Sequence, residues 1–209
     1  MMITGRFHKR GLYALTPAVD EPARVVDLAG RALAGGAAWL QYRGKPVPDP
    51  RIARDLRELC RRHGALFIVN DDPDLAAAVG ADGVHLGRGD PAVEQARAIL
   101  GARGVIGVSC YNDLERAGRL AAQGADYLAF GSVFPSATKP GAVHCPREVI
   151  SSAGRFGLPV VAIGGITLDN AASVIEAGAD VVAVASDLFE ASDVEARAAE
   201  FAKLFGDSG

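Results

Sequence analysis

Three polar residues at alternate positions could together bind an anion. Gln41, Arg43 and Lys45 occupy every second position at the end of an apolar run. Because alternate side chains of an extended chain point to the same side, one amide and two cationic groups would converge there. Guanidinium and ammonium groups bind phosphate and carboxylate oxygens strongly. The spacing predicts a site for an oxygen-rich anion, although a charged loop in solvent could have the same composition.

Carboxylates follow the next two apolar runs. Asn70, Asp71 and Asp72 come after one run, and Asp90 comes shortly after the other. Carboxylates at neighbouring strand ends can share one hard cation, and Mg²⁺ is commonly held by one or two of them together with substrate phosphate oxygens. Helix capping is the alternative, because Asp72 and Asp90 each precede a proline. We expect Asp71 and Asp90 to bind a metal and Asp72 to cap a helix.

Small residues near the end of the chain indicate a second anion site. Gly164 and Gly165 follow the seventh predicted strand, and Ala185 and Ser186 follow the eighth. Glycines let backbone N–H groups approach a phosphate without an intervening side chain. In barrels, a phosphate group often binds after strands seven and eight. The four residues predict a phosphate site, with a plain turn as the alternative.

Further hydrogen-bond donors follow the fifth and sixth predicted strands. Ser109 ends the fifth strand. The loop 131–142 after the sixth contains Ser136, Thr138 and Lys139 among proline and glycine residues. We interpret this loop as a ligand clamp, and an ordinary surface loop is the alternative.

A repeated pattern shows which elements must position these groups. Four times a Gly-Ala step leads into an apolar strand, at residues 35–38, 80–82, 124–126 and 178–180. Repeated helix–glycine–strand units predict a parallel sheet with right-handed crossovers. Three of the steps include an aspartate, and we expect Asp82, Asp126 and Asp180 to be structural because they precede their strands.

Eight such units are predicted along the chain. The strands are Gly11–Leu15, Trp39–Tyr42, Leu66–Val69, Val84–Leu86, Val105–Val108, Tyr127–Phe130, Pro159–Ile163 and Val181–Val184. Helices are predicted from residue 22 and over 52–62, 75–79, 91–100, 113–123, 147–156, 169–177 and 194–205. The predicted fold class is α/β, a single-domain (β/α)8 TIM barrel over residues 1–209. An open, doubly wound sheet is the alternative.

The composition argues against several classes of function. The 209 residues include 22 basic and 25 acidic side chains, for a net charge of −3. This balance does not favour nucleic acid or a membrane surface as a partner, and no apolar run is long enough to span a bilayer. Cys60, Cys110 and Cys145 lack metal-ligand spacing, so we expect reduced, buried thiols in a cytoplasmic protein. The four histidines have no zinc spacing, so each is interpreted as packed or solvent-facing.

Together the residues predict a barrel with two anion sites at one mouth. One is cationic and assisted by a metal, and the other is built from backbone groups. Two phosphorylated small molecules meeting there, with a metal at a polyphosphate, would suit the displacement of diphosphate.

The motifs resemble the thiamine-phosphate synthase family from Gly11 to about Phe189. The resemblance lies in Gln41-x-Arg43-x-Lys45, Asn70-Asp71, Gly83-Val84-His85-Leu86-Gly87 with Asp90, Gly107-Val108-Ser109, Thr138-Lys139-Pro140 and Ile163-Gly164-Gly165-Ile166. It implies transfer of a hydroxymethylpyrimidine group from its diphosphate to a thiazole phosphate, releasing diphosphate. It also implies a cytoplasmic transferase of thiamine biosynthesis that uses Mg²⁺.

The same resemblance assigns roles to residues. The pyrimidine diphosphate would be held by Gln41, Arg43, Lys45, Asn70, Ser109 and Lys139, of which Arg43, Lys45, Ser109 and Lys139 would be catalytic. The metal would bind Asp71 and Asp90. The thiazole phosphate would be surrounded by Ser136, Ala137, Thr138, Gly164, Gly165, Ala185 and Ser186. Positive groups would neutralise the leaving diphosphate, and no protein nucleophile would be needed.

Three positions depart from the family pattern. Gly44 stands where an acidic residue is frequent, Ala137 can offer only its backbone, and Tyr111 stands where relatives often have histidine. One alternative function is a thiazole tautomerase-like enzyme, which Tyr111, Asp71 and Asp90 disfavour. The other is a phosphate-binding barrel without catalytic activity.

Overall fold

A computed structural model describes residues 10–17, 21–44, 47–135, 141 and 143–206. Its strands are β1 Gly11–Leu15, β2 Trp39–Tyr42, β3 Leu66–Asn70, β4 Gly83–Leu86, β5 Val105–Tyr111, β6 Tyr127–Phe130, β7 Val160–Ile163 and β8 Val181–Val184. Its helices are α1 Pro22–Ala34, α2 Pro50–His63, α3 Pro73–Ala78, α4 Val93–Leu100, α5 Leu114–Ala122, α6 Arg147–Ala153, α7 Leu168–Glu176, α8 Ser186–Phe189 and α9 Val194–Lys203. A 3₁₀ turn, Gly154–Phe156, continues α6.

The strands form one closed parallel barrel in chain order, and β1 pairs with β8 to close it. The predicted (β/α)8 barrel is therefore confirmed, and the open sheet is wrong. Parallel strands expose their carboxyl ends on one face, so the groups predicted at successive strand ends share one mouth.

Alternation along each strand divides the apolar residues between two cores. Residues such as Leu12, Leu40 and Val84 belong to the larger core between sheet and helices. Tyr13, Trp39 and Tyr127 belong to the smaller core inside the barrel. The strands are therefore buried on both faces, as their nearly continuous apolar sequences predict.

The aspartates of the repeated Gly-Ala-Asp step lie at the amino ends of the strands and are structural, as expected. The backbone N–H of Phe67 donates to Asp82, that of Ile106 to Asp126, and that of Val160 to Asp180. The N–H of each aspartate in turn donates to the carbonyl of that same residue. Each carboxylate also lies within 4.0 Å of an arginine, in the pairs Arg57–Asp82, Arg97–Asp126 and Arg10–Asp180.

Several element boundaries differ from the predictions by one to three residues, and three differences bear on the mouth of the barrel. Strand β5 continues to Tyr111, with an irregular register between Ser109 and Tyr111, so Ser109 lies inside the strand instead of ending it. Helix α4 begins at Val93, which places Pro91 before the helix and not in its first turn. The short helix α8 follows β8 and was not predicted.

None of the described helices combines the length and the apolar character needed to cross a membrane.

Candidate active site

The carboxyl end of β2 places Gln41 inside the barrel and Arg43 at its rim. Gln41 is only 4% exposed, and its Nε2 donates to the Tyr13 hydroxyl at 2.9 Å. The backbone N–H of Arg43 donates to Oγ1 of buried Thr16 at 2.9 Å, which ties the end of β2 to that of β1. Lys45, the third predicted member of this group, lies outside the described residues.

The turn after β3 separates the roles of two adjacent aspartates. Asp72 is the N-cap of α3, and its Oδ1 accepts a hydrogen bond from the Leu75 N–H at 2.8 Å, which confirms the predicted cap. Asp71 has a φ of 67°, a left-handed conformation that is uncommon outside glycine. Its N–H donates to the His85 carbonyl at 2.8 Å, so the turn is held against β4.

Asp90 folds back on the end of β4. Its Oδ2 accepts the Gly87 N–H at 2.5 Å, a charge-assisted hydrogen bond that closes the loop 87–90. The N-cap of α4 is Ala92, so Asp90 is not a helix cap. The capping alternative is therefore wrong for Asp90 and right for Asp72.

A cavity of about 540 Å³ opens beside these turns. Its lining residues are Gly44, Pro48, Asn70, Asp71, Asp72, Pro73, Asp74 and Pro91. Its lining thus comes from the segments after β2, β3 and β4, and it includes the predicted site residues Asn70 and Asp71.

The donor set at this cavity fits a hard cation with few protein ligands. Among the described residues, no group of three or more His, Cys, Asp or Glu side chains could hold a metal by itself. Mg²⁺ characteristically keeps waters and takes one or two carboxylates together with substrate phosphate oxygens. Asp71 and Asn70 are both lining residues of the cavity, and Asp90 directly precedes the lining residue Pro91 in the sequence.

His85 and Ser109 face each other inside the barrel, on β4 and β5. The His85 Nε2 lies 2.9 Å from the Ser109 Oγ, and its Nδ1 lies 2.9 Å from the Tyr127 hydroxyl. Burial lowers the pKa of His85 to about 4, against a smaller opposing effect of the Asp90 charge. The imidazole is therefore neutral at physiological pH and can serve as a hydrogen-bond donor at one nitrogen and an acceptor at the other.

Tyr111, at the end of β5, lies close to two guanidinium groups. The Arg88 Cζ lies 4.9 Å from the centroid of its ring, and the Arg116 Cζ lies 5.8 Å from it. Arg116 also donates to the Ser109 carbonyl at 2.9 Å and to the Gly87 carbonyl at 3.4 Å. Tyr111 therefore organises cations around the ends of β4 and β5.

The chain after β6 packs directly on the two glycines after β7. A Cβ on Gly164 would lie 2.2 Å from the Ser132 Oγ, and one on Gly165 would lie 2.3 Å from the Pro135 carbonyl oxygen. Both glycines also have positive φ. Their small size and conformation let residues 132–135 pack closely against them. Their predicted contact with a phosphate stays a prediction. Four predicted residues of this loop lie outside the described residues: Ser136, Ala137, Thr138 and Lys139.

The ends of β7 and β8 are adjacent, because Ile163 pairs with Ala183. Ala185 precedes α8, and Ser186 is the first residue of that helix. Asp187 accepts hydrogen bonds from the Leu168 N–H and from Arg197, which fixes α8 between α7 and α9. Gly164, Gly165, Ala185 and Ser186 are therefore brought to one part of the mouth.

Sequence reasoning missed Tyr13 and Tyr127, and it took His85 only as a packed or solvent-facing residue. All three lie inside the barrel on the side of the strands that also bears Gln41 and Ser109. The available signal was their position: each is a polar-tipped residue within an otherwise apolar run, at a site whose neighbours two positions away also point inward.

Comparison with known proteins identifies the family. The family model "Thiamine monophosphate synthase" matches residues 12–188. The thiamine-phosphate synthase of Thioalkalivibrio sulfidiphilus is 54% identical over 203 residues, covering 94% of this chain and 95% of the relative. That of Methylobacillus flagellatus is 51% identical over 199 residues, covering 94% and 95%.

Solved structures agree as well. Thiamine phosphate pyrophosphorylase from Pyrococcus furiosus superposes with a TM-score of 0.83 at 38% identity, covering 96% of each chain. A 3-hexulose-6-phosphate synthase, at 20% identity and a TM-score of 0.70, shares the fold alone. The matched motifs, the barrel and the extent of the alignments show that this chain belongs to the thiamine monophosphate synthase family.

Proposed function

We propose that this enzyme synthesises thiamine phosphate by Mg²⁺-assisted displacement of diphosphate at the mouth of the barrel, in the cytoplasm. Its family membership makes it a transferase of thiamine biosynthesis acting on small-molecule substrates. The proposal specifies the strand ends that bind each substrate and the carboxylates that bind the cation. It also specifies the groups that neutralise the negative charge of the leaving diphosphate.

The observation that carries the metal proposal is the division of roles in the turn 70–72. Asp72 is committed to the N-terminus of α3, whereas Asp71 lies on the cavity wall in a left-handed conformation that capping does not explain. Non-glycine residues in that region are uncommon and cluster at functional sites, where the surrounding structure holds them in place. We assign Asp71 and Asp90 to Mg²⁺, which when bound would neutralise negative charge gathering on the departing diphosphate.

In this proposal cationic side chains would bind the diphosphate. Arg43, Lys45 and Lys139 supply positive charge, Ser109 supplies a hydroxyl, and Gln41 and Asn70 supply amides for the pyrimidine. Fixed donors of this kind stabilise developing charge without reorganisation during the reaction. The thiazole nitrogen is itself the nucleophile, so the protein has to orient the two substrates and does not form a covalent bond.

The thiazole phosphate is assigned to the other side of the mouth. We place it against the backbone of Gly164, Gly165, Ala185 and Ser186, with Ser136, Ala137 and Thr138 of the loop after β6 completing the site. The pairing of β7 with β8 and the packing of the loop on the two glycines support this assignment.

The activity is tested by incubating the purified protein with both phosphorylated precursors, in Mg²⁺ or in excess chelator. We expect thiamine phosphate and diphosphate in equal amounts with Mg²⁺ and neither with the chelator. A thiazole tautomerase-like enzyme would isomerise its substrate without consuming the pyrimidine diphosphate. A barrel without catalytic activity would bind the precursors and release no diphosphate.

Asp71→Asn tests the metal assignment, with Asp72→Asn as its matched control. Both substitutions remove one carboxylate charge from the same turn, but asparagine keeps the capping acceptor at position 72. In Asp71→Asn we expect kcat/KM to fall by about 100-fold or more and the Mg²⁺ concentration needed for activity to rise. The reason is that negative charge on the departing diphosphate is less well stabilised in the transition state. Asp72→Asn should stay within about threefold of the wild type. Equal losses in the two variants would overturn the assignment.

A further inference from the structure

A continuous chain of hydrogen bonds crosses the inside of the barrel between two predicted substrate contacts. Gln41 Nε2 donates to the Tyr13 hydroxyl at 2.9 Å, and the Tyr13 and Tyr127 hydroxyls lie 3.1 Å apart. Tyr127 lies 2.9 Å from the His85 Nδ1, and the His85 Nε2 lies 2.9 Å from the Ser109 Oγ. We call these five residues the inner relay.

The protons of the inner relay can be ordered from its first bond. The Tyr13 oxygen accepts from Gln41. We take each hydroxyl in the chain to accept one hydrogen bond and to donate one. Tyr13 then donates to Tyr127, and Tyr127 donates to the His85 Nδ1. Because the His85 Nδ1 accepts that bond, the imidazole proton is on Nε2 and is donated to the Ser109 oxygen. Burial raises the pKa of Tyr13 and of Tyr127 above the ordinary value, so both phenols keep their protons.

This order determines what the two ends offer at the mouth. The Gln41 amide turns its Nε2 towards Tyr13 and its oxygen away from it, and Ser109, having accepted from His85, keeps its own proton for another acceptor. An amide oxygen accepts hydrogen bonds from N–H groups of a ligand, and a serine hydroxyl donates to a diphosphate oxygen. In the opposite order, the Gln41 oxygen would face Tyr13 and the Ser109 hydroxyl would donate to His85. Ser109 could then only accept at the mouth, and an anionic substrate has no proton to donate there.

We propose that Tyr13, Tyr127 and His85 are positioning residues for the pyrimidine diphosphate, acting through the inner relay to orient the Gln41 amide and to keep the Ser109 hydroxyl a donor. The inference rests on the proposed function, because it requires Gln41 and Ser109 to contact that substrate.

The surroundings of the relay fix its geometry. Tyr13 is 1% exposed and Tyr127 is fully buried. Their rings pack against Trp39, with centroid distances of 5.3 and 5.1 Å, and the His85 ring stacks on Tyr127 at 5.6 Å. Rings held in this way cannot rotate their hydroxyls out of the chain, so the loss of one hydroxyl leaves its neighbours without partners and not merely rearranged.

Space for Tyr127 is made by a glycine in the neighbouring strand. A Cβ on Gly107 would lie 1.8 Å from the Tyr127 Cζ. Gly107 pairs with both His85 and Tyr127 across the sheet, so the only side chain between these two relay residues is a hydrogen atom. The barrel is thus shaped to let the Tyr127 hydroxyl reach His85.

The test uses Tyr127→Phe and Tyr13→Phe, which each remove one hydroxyl and keep the ring. We expect the KM for the pyrimidine diphosphate to rise by about tenfold in each, because a buried partner is lost. The KM for the thiazole phosphate should stay within about twofold, since its predicted site contains no relay residue. The control is Leu128→Ala, the neighbour of Tyr127 on the outer face of β6, which lowers stability without touching the relay.

A double-mutant cycle separates positioning from general loss of packing. Tyr127→Phe changes log KM for the pyrimidine diphosphate by a certain amount in the wild-type background. In a Ser109→Ala background, we expect the same substitution to change log KM by less than about half of that amount. In the wild type, ¹⁵N NMR of the imidazole should show His85 with its proton on Nε2 at neutral pH. Additive effects, equal KM shifts for both substrates, or a proton on Nδ1 would each overturn the proposal.

Failure of this inference is distinct from failure of the proposed function. If the wild type makes no thiamine phosphate, the proposed function is wrong. If the wild type is active and the two Tyr→Phe variants resemble it or the Leu128→Ala control, the relay is structural alone. Should Tyr127→Phe fail to fold, Tyr13→Phe and the His85 NMR spectrum still decide.

Discussion

Cys60 is a thiol that the fold keeps in its uncharged form. It lies on the buried face of α2, and its burial, with a smaller effect of the Asp82 charge, raises its pKa from 9.0 to about 12. All three cysteines are free and buried, as the sequence predicts, and none has the low pKa of a reactive thiolate.

This burial predicts a loss of stability at alkaline pH. Between pH 9 and about 12 the unfolded chain releases the Cys60 proton while the folded chain keeps it, so unfolding becomes easier as the pH rises. Over this range, release of the Cys60 proton lowers the free energy of unfolding by about 1.4 kcal/mol per pH unit. Urea unfolding should show the stability gap between the wild type and Cys60→Ala narrowing by about 1 kcal/mol from pH 9 to pH 10. Parallel pH curves for the two proteins would contradict this.

The limits of sequence reasoning are visible among single residues. The roles of Asp72 as a cap and of Asp82, Asp126 and Asp180 as structural groups follow from their positions relative to nearby elements. The partners of Tyr13 and His85 do not, because the relay joins residues as far as 114 positions apart and depends on the register of strands around a closed barrel. Local spacing contains no information about which inward side chains meet across the interior.

At the scale of elements, Gly107 shows how one strand accommodates another. Gly107→Ala would press a methyl group into the ring of Tyr127, and that ring is enclosed on its other sides by Trp39 and Tyr13. We expect a loss of at least about 3 kcal/mol in the free energy of unfolding, measured with a chemical denaturant. The added Cβ would lie 1.8 Å from the Tyr127 Cζ, and a packed core cannot shift far enough to relieve that overlap.

Gly154→Ala is the matched control for this substitution. Gly154 has helical φ and ψ, and an added Cβ would meet nothing within 4 Å. Alanine there should be neutral or stabilising by up to about 1 kcal/mol. If both alanine variants unfold at the same denaturant concentration, the packing of Tyr127 over Gly107 is looser than we infer.

Element identity was predictable along the barrel, and element ends were less so. Apolar runs, four of them preceded by a Gly-Ala step, located all eight strands, since parallel strands buried on both faces leave that strong pattern. The extension of β5 to Tyr111 was missed, because it requires an irregular pairing with β6 and a positive φ at a non-glycine residue. The start of α4 was missed since Asp90 bonds to Gly87 and not to the helix.

In the whole molecule, the groups predicted to bind substrates and the groups that stabilise the barrel lie at opposite ends of the strands. The predicted substrate groups lie at the carboxyl ends of the strands, and the Asp82, Asp126 and Asp180 bonds lie at the amino ends, each joining an even-numbered strand to the odd-numbered strand before it. The fourth such junction, at Ala38 before β2, has only the backbone bond to Leu12. That residues 1–209 form one domain stays a prediction.

Asp126→Ala tests this separation. Its Oδ2 accepts the Ile106 N–H at 2.7 Å and bonds Arg97 at 2.6 Å, so truncation leaves a partly buried N–H and a guanidinium without their acceptor. We expect a loss of about 2 kcal/mol in the free energy of unfolding. The kcat and both KM values should stay within about twofold, because the amino-terminal face of a barrel serves stability. Asp27→Ala, which breaks an exposed ion pair with Arg31, is the control and should cost less than about 0.5 kcal/mol. A fall in kcat at temperatures where Asp126→Ala remains folded would mean that the two ends of the barrel are coupled.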